Sequence, residues 1–94
     1  MNDLTKNEAA LADAVRSSAL EFLRVELKIA NTMLDLAASA SEQETHERRR
    51  EQARIACDTV KRYLDEPAVP ILTKDRDAIS ESLRTLEQRI SAAP

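Results

Sequence analysis

One histidine, one cysteine and a dense run of arginines are the residues of this 94-residue chain best suited to chemistry. His46 lies in "ETHERRREQAR", residues 44 to 54, with Glu42 one turn before it. A carboxylate and an imidazole four residues apart share a helix face, which is how many metal sites begin. A carboxylate site inside a bundle needs several inward glutamates and Glu-x-x-His spacing. Residue 43 is Gln, so neither a metal nor any other cofactor is expected.

Phosphoryl transfer is a second chemistry for the same histidine. Histidine phosphotransfer bundles carry a basic residue three positions after the phosphoacceptor, and Arg49 stands there. They follow the histidine with glycine and small residues that leave a docking domain room, whereas this chain has Arg50. A signalling bundle using His46 is therefore an alternative reading. Arg48, Arg49, Arg50 and Arg54 suggest a phosphate-binding face, and weak nucleic-acid binding through this cluster is another alternative. Glu44, Glu47 and Glu51 stand at helical spacing to Arg48, Arg50 and Arg54, which favours a solvated, ion-paired face. The net charge of −3 and the lack of stacking aromatics also argue against a nucleic-acid partner.

Cys57 falls beside Ala56 and Val60 and is expected half-buried, as a small hydrophobe rather than a reactive thiol. Tyr63 is expected at the edge of the core, ring inside and hydroxyl at the rim. With Gly 0 there is no glycine-rich phosphate loop. No serine joins the lone histidine in a local nucleophile motif. No catalytic residue can be named, and a non-enzymatic protein is expected. A single cysteine fits a reducing compartment. "MNDLTKNEAA" lacks the apolar block of a signal peptide, and no run reaches the roughly 18 apolar residues of a membrane span. The expectation is a cytoplasmic protein that avoids membranes.

The elements that would carry these residues are all helical. Zero glycine leaves few positive-φ turns, and alanine, leucine, glutamate and arginine are strong helix formers. The pattern predicts helices over about 3–40, 42–65 and 74–92, joined by a connector at 66–73, within one domain. Asn2 or Asp3 can cap the first helix, and Ser41 with Glu44 reads as a capping box for the second. Pro67 should end the second helix, because it disfavours the α conformation of Glu66. Val69, Ile71 and Leu72 of the connector should fold over one end of the core, with Thr73 capping the third helix. Ile79, Leu83, Leu86, Ile90 and Ala93 form the third helix's single stripe.

The first helix is unusual. "LEFLRVELKIANTMLDLA", residues 20 to 37, has two apolar rows where a core helix needs one. Leu20, Leu23, Leu27, Ala30, Leu34 and Ala37 make one row. Leu4, Leu11, Val15, Phe22, Val25, Ile29 and Leu36 make another, well round the helix from the first. The shorter helices offer one narrow stripe each and can cover only one row. At ~1.5 Å per residue the first helix is nearly 60 Å long, against about 35 and 30 Å for its neighbours, so its first four turns project. The chain is therefore expected to be an up-down-up three-helix bundle that dimerises into a larger helical bundle. Leu4, Leu11, Val15, Phe22, Val25 and Ile29 would be its interaction seam, with another protein as the second candidate partner. The alternative is a bend near Ser17-Ser18, with the first turns folded back as a fourth helix.

Residues 26 to 64, "ELKIANTMLDLAASASEQETHERRREQARIACDTVKRYL", resemble a pattern in short uncharacterised bacterial all-helical proteins. The resemblance implies a small helical bundle and attaches no activity. "ARIACDTVKRYL" is also faintly similar to a tetratricopeptide-type helix, but no period of about 34 residues recurs.

Overall fold

The computed structural model describes residues 2–92, and side chains from residue 7 onward. It is all-α among these residues, with α1 at Asn2–Ser39, α2 at Gln43–Asp65 and α3 at Thr73–Ala92. The helices run up, down and up. Phe22 meets Tyr63 and Ala37 meets His46, so α1 and α2 are antiparallel. Leu64 meets Arg76 and Ile90 meets Arg50, so α2 and α3 are antiparallel as well.

Each helix buries one stripe, and the three stripes close one cluster. From α1 come Leu23, Leu27, Ala30 and Leu34; from α2, Ala53, Ala56, Cys57, Val60 and Leu64; from α3, Ile79, Leu83, Leu86 and Ile90. Ala37 is buried at the end of the α1 row, and Leu20 and Met33 pack at its edge. Three of the five buried α2 residues, Ala53, Ala56 and Cys57, are small, which lets its backbone approach α1 closely. Ala93 lies outside the described residues.

α1 is a single α-helix through Ser17-Ser18, so no fourth helix folds back. Its 38 residues at ~1.5 Å each give about 57 Å, consistent with a molecule measuring 63 × 18 × 16 Å. Among the described side chains of α1, burial begins at Leu23, with Ala19 and Leu20 half-covered. The first four turns therefore extend past α2 and α3.

Three details depart from the sequence reading. Glu42, not Ser41, is the residue preceding α2, and it makes no side-chain cap. α1 runs to Ser39, which leaves a turn so short that Ser41 falls one position too early to reach the α2 amides. α3 begins at Thr73 itself, with the Leu72 carbonyl accepting from the Arg76 amide at 2.8 Å, so Thr73 is inside the helix rather than its cap. Leu72 is exposed, while Ile71 packs on the core. The Asn2 or Asp3 cap lies outside the described side chains.

The connector follows from proline. Glu66 takes φ −85° and ψ 112°, the extended backbone that a following proline demands. Its carbonyl accepts from the Val69 amide at 3.1 Å and its carboxylate from the Ala68 amide at 3.2 Å. These bonds close a turn without glycine.

Candidate interaction surface

The two rows of α1 have different fates. The Leu23 row is the core, with Leu23 and Ala30 fully buried. The other row faces outward: Leu11 is 66% exposed and Val15 47%, falling to 38% at Phe22 and Ile29. Val25 and Leu36 are likewise exposed. The gradient tracks the body of the molecule, because only the C-terminal half of α1 has α2 beside it. Leu4 lies outside the described side chains. Tyr63 extends the surface onto α2, its ring 4.8 Å from that of Phe22 and inclined at 51°. Half-buried Met33 and Glu26 mark the edge next to α2.

A monomeric soluble protein rarely leaves a long apolar row in water. Single exposed apolar residues are ordinary, and Ile55 on the outer face of α2 is one of them. The α1 row differs in being ordered at helical spacing from Leu11 to Leu36.

The residues with chemical potential are engaged in holding the helices together. His46 Nδ1 lies 2.8 Å from the Ala37 carbonyl. A carbonyl only accepts, so Nδ1 carries the hydrogen. His46 thus stitches the first turn of α2 onto the last turn of α1. Arg50 Nη2 donates to the Ile90 carbonyl at 2.7 Å, near the end of α3, and Arg76 donates to the Leu64 carbonyl at the end of α2. Every helix therefore has a carbonyl in its last turns capped by a side chain from a neighbouring helix. Glycine in the left-handed conformation usually does this work, and this chain has none. Sequence reasoning missed these roles, although zero glycine was their signal.

The arginine cluster is spread around α2. Arg48 donates to Thr45, Arg49 to Gln52 at 3.0 Å and toward Met33 Sδ at 3.9 Å, and Arg54 pairs with Glu51. Arg49 thus points along its own helix and toward α1. Lys61 binds Glu87 at 2.8 Å and joins α2 to α3; that carboxylate holds the ammonium above its usual range. Arg89 binds Asp35 at 2.6 Å and joins α3 to α1.

Cys57 is buried more fully than its half-buried expectation. Burial first, then the Glu87 and Asp58 carboxylates, push its thiol from 9.0 up to about 11. A protonated thiol is a poor nucleophile. Among the described residues, no three histidines, cysteines or acids gather as a metal site would require. No described helix is long and apolar enough to cross a membrane.

Three helices around a small aliphatic core and one unpartnered apolar face define the class: an all-α bundle. Comparison with protein-family models, curated proteins and solved structures finds no match to the chain.

Proposed function

We propose that the chain is a non-enzymatic self-association module of the cytoplasm, which pairs with a second copy through the outer row of α1. One observation carries this reading: α1 spends one apolar row on its own core and presents another, from Leu11 to Leu36, to solvent. Burying a large aliphatic side chain is worth roughly 1.5–3 kcal/mol. Several such residues on one face supply a substantial drive toward association, even after the entropy of association opposes it.

The projecting turns add a second support. Isolated helices of under about 12–15 residues are marginal in water, since their stability comes from packing one face. Leu11 and Val15 have no cover from α2 or α3. A second copy would supply it and would complete the interaction module.

Chromatography with light scattering at tens of micromolar should give twice the chain mass. Leu11→Glu with Val25→Glu should return the mass to one chain while circular dichroism stays helical. A wild-type monomer at that concentration overturns the proposal.

A further inference from the structure

The outward row is more regular than its apolar members suggest. Val15, Phe22, Ile29 and Leu36 recur at seven-residue steps, and Leu11, Ser18, Val25 and Thr32 stand four residues before each of them. This is the alternating a and d pattern of a two-stranded coiled coil, carried on the face that the core leaves free. With Phe22 at a, Glu21, Lys28 and Asp35 occupy flanking g positions, Asp35 being already paired with Arg89, and Ala19, Glu26 and Met33 occupy e. Glu21 and Lys28 are both exposed, and neither enters an ion pair among the described residues.

We infer that α1 pairs antiparallel with α1 of a second copy, in the register that sets Phe22 against Val25 of that copy. The inference rests on the self-association reading and adds its orientation and register. Charge complementarity selects them. Antiparallel helices bring g beside g and e beside e, and these flanks set orientation and partner choice. In this register Glu21 faces Lys28 of the second copy, twice by symmetry, and Glu26 faces Ala19. Sliding one heptad in one direction sets Glu21 against Glu21. Sliding the other way sets Lys28 against Lys28 and Glu26 against Glu26. A parallel, in-register pair sets Glu21 against Glu26 twice. Of these arrangements only the centred antiparallel pair has opposite charges facing and no like ones, and there Asp35 faces Ala14. A slide of two heptads would set Lys28 against Asp35, but Arg89 already holds that carboxylate and Leu11 and Val15 would stay uncovered.

The layers also fit. Leu11 meets Leu36 at both ends, so the projecting turns of each copy lie over the body end of the other. Ser18 meets Ile29, and Thr32 meets Val15. Hydroxyls in a helix can satisfy themselves on the carbonyl of the preceding turn, so these layers need no further polar partner. The overlap spans about 26 residues, close to 38 Å of helix. Such a pair is isologous and closes on itself as a two-fold dimer.

Glu21→Lys and Lys28→Glu, made in separate chains, test this by sedimentation velocity and native mass spectrometry at low salt. Each variant alone faces like charges twice and should associate roughly ten-fold more weakly than wild type. Mixed in equal amounts, the two should recover a dimer of one chain each, because every flank pair is then opposite in sign. Both changes are on exposed side chains, and circular dichroism checks that each variant folds. A wild-type dimer that Glu21→Lys leaves unchanged or tightens overturns the register while self-association stands; tightening points to the parallel pair. A wild-type monomer overturns both.

Discussion

Cys57 shows how burial changes what a residue can do. Its type suggests reactivity, but its surroundings remove the thiolate that reactivity requires. Because the folded thiol titrates near 11 rather than 9.0, its protonated form is favoured by the fold. That contribution is fully present below about pH 9 and is lost as pH rises through about 11. Lys61 is shifted in the same direction by Glu87, but it is exposed and adds little. The urea midpoint is therefore expected to fall between pH 9 and pH 11, and Cys57→Ala should flatten that fall. An unchanged slope in the variant would show that other groups govern the alkaline limb. Iodoacetamide should label the native thiol at neutral pH far more slowly than the urea-unfolded one. The neighbours of Cys57 in the sequence, Ala56 and Val60, already implied an apolar setting. Glu87, the first of the carboxylates that push its pKa, comes from α3 and could not be read from the α2 pattern.

At the scale of the elements, a carbonyl near the C-terminal end of each helix is bonded by a side chain of another helix. This arrangement couples the three ends: α1 through His46, α2 through Arg76 and α3 through Arg50. A hydrogen bond of this kind contributes about 0.5–1.5 kcal/mol, and more when the donor is charged. His46→Ala and Arg76→Ala should each lower stability by about 1–2 kcal/mol, a fall in Tm of roughly 4–8 °C per kcal/mol for a domain of this size. Thermal denaturation followed at 222 nm measures it; no shift in either variant would remove the caps from the account. The helices themselves were legible from periodicity, since Pro67 and the runs without glycine set their limits. The caps were not, because spacing along one helix does not say which end of another helix it will reach. Ser41 illustrates the difference: its spacing to Glu44 reads as a capping box, yet α2 is preceded by Glu42, which makes no side-chain cap. The core row of α1 was visible as a row. Its identity as the inner one depended on the alanine-rich stripe of α2, which only packing reveals.

The whole molecule is a short bundle with a long rod running through and beyond it. Its length mismatch followed from counting residues, and the straight passage through Ser17-Ser18 turns that mismatch into a real overhang. Among the described side chains the overhang has no role in the core, whose α1 members start at Leu23. Removing residues 2–17 should therefore leave a cooperatively folded bundle, with a Tm change of only a few degrees and a loss of helical signal matching the residues deleted. The same deletion takes Leu11 and Val15 from the outer row, two residues per copy, each worth roughly 1.5–3 kcal/mol when buried. Self-association should then collapse while the fold persists. The two readouts separate the claims. A truncated chain that unfolds would make the overhang part of the subunit's own stability, and one that still dimerises as tightly would place the contact elsewhere. Loss of mass with retention of the melting transition is the outcome the proposed dimer predicts, because one helix would then serve two cores, only the inner of which belongs to a single chain.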